Sequence, residues 1–174
     1  GFAKVCETAV GAAIASDEMA RVAMEGKMDN IISTCCPAVN DLIEKHYPEL
    51  VQYLAPVVSP MVAHGRYIKK HDPEAKVIFV GPCFAKIEEA RDVRVDDAID
   101  AVLTFQDLEE WMKKANLTLA SVEPAPLDSE NAGLARMYPT NAGVLHNVKA
   151  RGLTGWQLQH IEGPDACFEM IKAL

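Results

Sequence analysis

Two short apolar runs, each followed by a cysteine motif and then by a helical pattern, constrain the fold of this chain most strongly. The first run, residues 30–32, precedes the sequence STCCP at residues 33–37, and the second, residues 77–80, precedes GPCFAK at residues 81–86. Strands that alternate with helices form a parallel sheet with right-handed crossovers. Ligands bind outside the carboxyl ends of the strands in such sheets. We therefore predict an α/β fold in which both motifs lie at one crevice.

Hydrophobic periodicity gives the other elements of this fold. Residues 2–25 have helical spacing and are predicted to form two helices, because Gly11 and Ser16 interrupt the pattern. Further helices are predicted at residues 37–46, 50–54, 61–70, 86–91, 106–115, 141–150 and 164–174. Besides the strands before the two motifs, strands are predicted at residues 101–105 and 156–161.

The chain divides by composition into three parts. Residues 1–116 form a first α/β lobe that contains both cysteine motifs, with a parallel sheet flanked by helices. Residues 117–140 are rich in Pro, Gly, Ser, Asn and acidic residues and are predicted to form a long loop. Residues 141–174 begin a second α/β lobe. Both ends of the chain lie in amphipathic patterns, so we interpret it as a domain excised from a longer protein.

Charge and cysteine content argue against several classes of protein. The net charge of −8 argues against nucleic acid as a partner, since phosphate binding needs clustered Lys and Arg. No apolar run approaches the roughly 18 residues of a transmembrane helix, so no membrane partner is expected. The cysteines number five, two of them adjacent, which does not fit a secreted disulfide framework. Metal or redox use of some thiols in a reducing cytoplasm fits better.

The cysteines of the two motifs suit a soft-metal site. Cys35 and Cys36 lie where a strand passes into a helix, and the positive end of the helix dipole favours the thiolate that binds metals. Adjacent side chains in an extended segment point in opposite directions, so one can be a ligand while the other faces another part of the cavity. Cys83 repeats this position on the second strand. Lys86 follows it by one helical turn and can place an ammonium beside an anionic cofactor.

Structural alternatives remain for each of these residues. A buried cysteine usually packs as a small hydrophobic side chain, and we expect this of Cys6 and Cys167. The same packing is the alternative for the motif cysteines, and Lys86 could be a solvated helix residue. The five histidines show no ligand spacing and are expected to be structural or exposed.

The motifs together resemble those of the catalytic domain of [FeFe]-hydrogenases. In that family a motif of the form TSCCP is followed by one of the form PCxxK, and here STCCP, YPEL at residues 47–50, Ser59-Pro60 and PCFAK at residues 82–86 have the same order and spacing. The run YPTNAGV at residues 138–144 also looks like the turn that opens the family's second lobe. The resemblance implies the family's fold, which agrees with the α/β prediction.

The resemblance also implies roles for individual residues. Cys36 and Cys83 would ligate the [4Fe-4S] half of the H-cluster, and Cys35 would be the proton-delivering thiol beside its diiron half. Lys86 would hydrogen-bond a cyanide ligand of the diiron subcluster. The neighbouring residues implied to line the cofactor are Pro37, Pro82, Ser59 and Pro60.

The implied reaction is reversible oxidation of H2 and reduction of protons, in an anaerobic bacterium. The implied partners are H2 and protons, an electron-transfer iron–sulfur domain or ferredoxin, and the remainder of the same polypeptide. The family's third motif, of the form CxxxC, does not occur in these residues, so half of the cluster ligands are missing. We therefore expect this chain by itself to lack the cluster and to be inactive.

Several residues differ from those of the catalytic members. Gly81 stands where they usually carry Met, and Val39 where they carry Trp. Along the family's proton route, Ala15 and Ala55 occupy an acid and a serine position, while Glu18 fits the other acid position. These differences favour the alternative of a non-catalytic or slow H2- or redox-sensing iron–sulfur module of a regulatory protein. A cluster-free structural relative is a third possibility.

Overall fold

The sheet of this protein is small and parallel. In the computed structural model, which describes residues 1–174, strand β1 (Ile78–Val80) pairs with strand β2 (Ala101–Leu103). The register places Phe79 opposite Val102. The connection contains helix α4 (Ala85–Glu89), as neighbouring parallel strands require a crossover. The predicted α/β class with a parallel sheet is confirmed.

Helices make up most of the remaining structure. They are α1 (Ala9–Met24), α2 (Pro37–His46), α3 (Pro60–His71), α5 (Phe105–Lys114), α6 (Gly143–Lys149) and α7 (Pro164–Ala173). Short 3-10 helices cover Pro48–Tyr53, Leu119–Ser121 and Gly133–Met137. No helix is long and apolar enough to cross a membrane.

Local sequence explains where several helices begin. Helices α2, α3 and α7 each have a proline in the first turn, where the missing N–H costs no hydrogen bond. Ser59 caps α3, because its Oγ accepts a hydrogen bond of 3.4 Å from the N–H of Val62. Thr104 and Asp107 form a reciprocal capping box at the start of α5.

The prediction of two helices in residues 2–25 is wrong, since α1 is a single helix. Gly11 does not interrupt it but allows α1 to approach α3 closely. A Cβ built there would lie 2.6 Å from the Cβ of His64 and would also overlap the backbone carbonyl of Pro60. Ser16 is tolerated because its hydroxyl donates a hydrogen bond of 2.7 Å to the carbonyl of Ala12. Residues 2–8, included in the predicted helical pattern, lie outside any helix.

Two predicted strands are absent or reduced. Residues 30–34 contribute only an isolated parallel bridge between Ile32 and Leu54. Residues 156–161 form no strand, because Trp156 and Leu158 pack against the main apolar cluster instead of pairing with a neighbouring strand. The predicted helix at residues 50–54 is part of the 3-10 helix Pro48–Tyr53.

The main apolar core joins distant parts of the chain. Its buried residues are Ala15, Met19, Ala20, Val22, Ala23, Ala55, Val57, Ala63, Val148 and Leu153. Val148 and Leu153 come from the residues assigned to the second lobe, yet they pack with side chains of α1 and α3. The boundaries of the lobes remain a prediction.

Candidate functional site

The first cysteine motif is fastened to the chain segment that follows the 3-10 helix Pro48–Tyr53. The N–H of Ile32 donates to the carbonyl of Tyr53 at 2.7 Å, and the N–H of Ala55 donates to the carbonyl of Ile32 at 2.9 Å. The buried hydroxyl of Thr34 donates to the carbonyl of Ala55 at 3.1 Å and also reaches the carbonyl of Val57. The side-chain hydrogen bonding of Thr34 therefore fixes the position of the residue directly before the two cysteines.

Cys36 is the N-cap residue of α2. Its backbone is extended, with φ −105° and ψ 106°, and its carbonyl accepts from the N–H groups of Val39 and Asn40 at 3.1 Å each. Its thiol makes no capping hydrogen bond, so the sulfur is available for another partner. Asn40 also donates through Nδ2 to the carbonyl of Thr34 at 3.0 Å. Both Cys35 and Cys36 are free and partly exposed.

The second cysteine motif continues directly from the sheet. The N–H of Gly81 donates to the carbonyl of Leu103 at 3.0 Å, which extends the pairing of β1 with β2 by one residue. Cys83 lies in the turn that follows and is exposed and free. Its carbonyl accepts from the N–H of Lys86 at 3.2 Å. This thiol is thus held at the carboxyl end of β1 by backbone contacts alone.

Lys86 brings the two motifs together. Its Nζ donates to the carbonyl oxygen of Cys35 at 3.2 Å, although the two residues are 51 positions apart. The same Nζ forms an ion pair of 2.6 Å with Oε2 of Glu89, and each of these side chains is only 12% exposed. A lysine ammonium has three donors, so one remains for a further acceptor. The two motifs are thus in direct contact, as the prediction that both face one crevice requires.

Two residues near Cys35 were not identified from the sequence. Glu89 belongs to neither cysteine motif, although its spacing of three from Lys86 is that of a helical ion pair. Tyr138 comes from the C-terminal end of the predicted long loop. Burial raises the pKa of its hydroxyl well above the ordinary value, and the charge of Cys35 and a hydrogen bond with its side chain add to this. No local sequence pattern indicates that contact.

The other predicted cofactor-lining residues have different surroundings. Ser59 is buried, with only 1% of its surface exposed, and its hydroxyl caps α3. Pro60 begins that helix, and Pro37 begins α2. Pro82 is exposed beside Cys83. In the structure, Ser59, Pro60 and Pro37 therefore stabilise the starts of helices α3 and α2. Their contact with a cofactor stays a prediction.

The residues of this chain do not make a complete cluster site. No group of three or more His, Cys, Asp or Glu side chains is arranged to hold a metal ion. A [4Fe-4S] cluster is held by four cysteine thiolates as a rule. Cys6 and Cys167 are free and partly exposed, and neither belongs to the motif region. The two motifs could supply only part of the ligand set of a cluster.

A cleft of about 1000 Å³ opens beside the motifs. The amino-terminal end of α2 forms one part of its wall, with Pro37 and Asn40, and α4 forms another, with Ala85 and Glu89. Arg94, at its rim, is held by Glu44 at 2.6 Å. The cleft thus lies between α2 and α4, but Cys35, Cys36 and Cys83 do not line it.

Comparison with known proteins agrees with the motifs. Residues 1–169 match the model of the family described as iron only hydrogenase large subunit, C-terminal domain. The chain belongs to this family. The match covers the elements that carry both cysteine motifs and extends into α7.

Curated relatives in this hydrogenase family are identical to the chain at about a quarter of the aligned residues. The periplasmic [Fe] hydrogenase large subunit of Nitratidesulfovibrio vulgaris is 27% identical over 160 residues, covering 79% of this chain and 38% of the relative. Iron hydrogenase 1 of Clostridium pasteurianum is 27% identical over 164 residues, covering 83% of this chain and 29% of the relative. The chain therefore spans well under half the length of the curated relatives it matches.

Solved hydrogenase structures have the same fold. A variant of the [FeFe]-hydrogenase HydA1 from Chlamydomonas reinhardtii superposes with a TM-score of 0.67 at 24% identity, covering 93% of this chain and 46% of that one. The structure of HydA(deltaEFG), which addresses stepwise assembly of the H-cluster in that protein, gives a TM-score of 0.68 at 24% identity. At this identity the likeness establishes the fold, while the individual site residues remain predictions.

Proposed function

We propose that this chain is the part of an iron-only hydrogenase domain that contributes half of the protein ligands of an H-cluster. The observation that carries the proposal is the hydrogen bond of 3.2 Å from Nζ of Lys86 to the carbonyl of Cys35. It joins the two motifs across 51 residues in a chain whose family is that of hydrogenase large subunits. When bound, the cluster supplies the metal chemistry of reversible H2 oxidation and proton reduction.

Each residue near this contact has a proposed role. Cys36 and Cys83 are the metal ligands that the resemblance of the motifs implies, and both of these cysteines are free. Cys35 is the thiol that moves protons, and the hydroxyl of Tyr138 lies against it. Lys86 presents its remaining donor to an anionic ligand of the diiron subcluster, while Glu89 fixes the direction of its side chain.

The remaining ligands must then come from outside these residues. The chain covers 46% or less of the related proteins described above, so the rest of a longer polypeptide is the proposed source. Electrons would pass through an iron–sulfur domain or ferredoxin, in an anaerobic bacterium. We propose the cytoplasm as the compartment. The alternative is the periplasm, because the Nitratidesulfovibrio relative is a periplasmic hydrogenase.

Reconstitution of this chain with iron and sulfide under anaerobic conditions tests the number of ligands. We expect iron to be lost on desalting, and a sample reduced with dithionite not to show the electron paramagnetic resonance spectrum of a four-cysteine [4Fe-4S] cluster. A stable cluster of that kind would contradict the assignment of only Cys36 and Cys83 as ligands. In that case Cys167→Ala, set beside Cys83→Ala, would show whether a cysteine outside the motifs takes part.

The longer polypeptide tests the reaction itself. After maturation with the diiron subcluster, we expect H2 evolution that Cys35→Ala abolishes and Cys167→Ala leaves unchanged. Iron content should fall in Cys36→Ala and Cys83→Ala but not in Cys35→Ala. Equal iron content in all of these variants would refute the proposed ligands, whatever the activity.

One observation favours the second function, a slow or non-catalytic sensor of H2 or redox state. Ala15 and Ala55, at the positions where catalytic members carry proton-route residues, are each 4% exposed and belong to the same apolar cluster. Apolar side chains cannot relay protons, so proton delivery by this route would be slow. Turnover near background in the matured polypeptide, with normal iron content, would favour the sensor; fast turnover would exclude it.

A further inference from the structure

A second pocket lies between the N-terminal segment, α3 and β1. Its volume is about 710 Å³, inside the range of roughly 300–1,000 Å³ that is typical of small-molecule sites. Its walls are largely apolar and include Phe2, Met61, Phe79 and Ile99. No residue of either cysteine motif lines it, so it is separate from the proposed cluster site.

His64 is the one buried ionisable side chain in this wall. It is 7% exposed, and its ring makes no hydrogen bond to any protein group, since the histidine rings that do are those of His71 and His160. Burial lowers the pKa of His64, so the imidazole is neutral and offers one donor and one acceptor. A buried polar group without a partner is costly and calls for one. The ring nitrogens of His64 keep some solvent-accessible surface, and His64 lines the pocket.

Aromatic rings continue from His64 along the face of α3. The ring centroids of His64 and Tyr67 are 6.5 Å apart, and those of Tyr67 and His71 are 4.5 Å apart. A hydrogen bond of 2.8 Å between Nδ1 of His71 and the carbonyl of Tyr67 fixes the outer ring. Rings at such separations present flat surfaces on which a planar molecule can pack.

The side of the pocket formed by the N-terminal segment is held in place. The N–H of Val5 donates to Oδ2 of Asp128 at 2.7 Å, and the N–H of Asp128 donates back to the carbonyl of Val5 at 2.8 Å. The N–H of Glu7 donates to Oγ of Ser129 at 2.9 Å. These bonds join positions more than 120 residues apart, so the pocket is built before any ligand arrives.

Charge limits what this pocket can hold. The charged side chains of its lining, which are Lys4, Asp72, Lys76, Asp128 and Glu130, all belong to exposed residues and stay hydrated at the rim. The polar group that faces the interior is the uncharged ring of His64. An ion would lose hydration there without gaining an opposite charge. We propose that this pocket binds a small neutral aromatic molecule whose polar group shares a hydrogen bond with His64.

Phenol and toluene are a matched pair of probes for this site, because they differ only in the hydrogen-bonding group. Titration of each into the chain, followed by NMR, gives both dissociation constants. We expect phenol to saturate the site and to shift the ring resonances of His64. In His64→Phe, which keeps a flat ring, the dissociation constant of phenol relative to that of toluene should rise by roughly 3- to 10-fold, the value of one neutral hydrogen bond. In His46→Phe, which changes an exposed histidine at the end of α2, the ratio should not change.

Three results would overturn the proposal. They are the absence of saturable phenol binding to the unsubstituted chain, a phenol response at the histidines outside the pocket (His46, His146 and His160) without one at His64, and an unchanged ratio in His64→Phe. If His64→Phe fails to fold, the first two measurements still decide, because they use the unsubstituted chain. None of these results depends on iron, so they stand apart from the tests of the hydrogenase assignment.

Discussion

Replacing Glu89 with glutamine tests the ion pair that connects the two motifs. The pair joins Nζ of Lys86 and Oε2 of Glu89 at 2.6 Å, with each side chain 12% exposed. Removing one partner of a fully buried pair costs about 3–5 kcal/mol, because the other charge is left uncompensated. Here Lys86 keeps its hydrogen bond to the carbonyl of Cys35, and glutamine keeps an acceptor. We therefore expect Glu89→Gln to lower the free energy of unfolding by about 1–3 kcal/mol.

Glu88→Gln is the matched control for this substitution. Glu88 pairs with Arg91, which lies just after the end of α4, at the same spacing of three residues and at 3.0 Å, but these side chains are 74% and 71% exposed. Exposed pairs contribute about 0–1 kcal/mol, since water screens both charges and the side chains lose entropy. The same chemical change should therefore have a much smaller effect one residue away.

Urea unfolding at neutral pH measures both variants in the chain without iron. Far-ultraviolet circular dichroism and the fluorescence of Trp111 and Trp156 should give coincident transitions, which is the condition for a two-state free energy. A double-mutant cycle with Lys86→Met then isolates the pair, and we expect a coupling energy of about 1–2 kcal/mol. A loss in Glu89→Gln no larger than that in Glu88→Gln, with no coupling to Lys86, would refute the reasoning.

Three further substitutions test the packing and electrostatics described above. Gly11→Ala should lower the free energy of unfolding by about 1–3 kcal/mol, because its methyl group meets the backbone of α3; an unchanged urea midpoint would contradict that close approach. Thr34→Val should cost about 1–3 kcal/mol in the same assay, since the two carbonyls within reach of this hydroxyl lose the one donor that they share, and a neutral result would argue against that bonding. The N–H of Val77 and then the Lys69 ammonium lower the pKa of Asp100 from 3.8 to about 2. A carboxyl group whose pKa falls on folding stabilises the protein at pH values above its pKa in the unfolded chain. We therefore expect Asp100→Asn to lower the free energy of unfolding by about 1–2 kcal/mol, after solvent screening, above about pH 4. This difference should disappear as the pH falls towards about 2. A difference that does not change with pH would contradict the assignment.

The sequence predicted the elements whose signals are local. Helices α2 and α3 begin at prolines, and α5 begins directly after its N-cap Thr104, so their starts lie within one or two residues of the predicted ones. The parallel pairing of the second and third apolar runs also follows from local patterns, because only a crossover can join such strands in that length of chain.

The errors arise where a distant contact decides. Gly11 looks like a helix breaker in isolation, and only the proximity of α3 shows that it is a packing residue. Residues 156–161 alternate like a strand, but the structure offers no edge with which they pair, and Trp156 packs on the core formed by α1. For the site, the sequence indicated Cys35, Cys36, Cys83 and Lys86 but not Tyr138, whose contact with Cys35 spans about a hundred residues.

The contacts that hold the two motifs together belong to the protein alone. Thr34, the N-cap backbone of Cys36, the sheet bond of Gly81 and the Lys86–Glu89 pair position the cysteines through contacts that do not use a thiol. It follows that substituting Cys36 or Cys83 should remove a ligand while leaving these contacts intact. Loss of iron in such variants can therefore be read as loss of ligation rather than loss of fold.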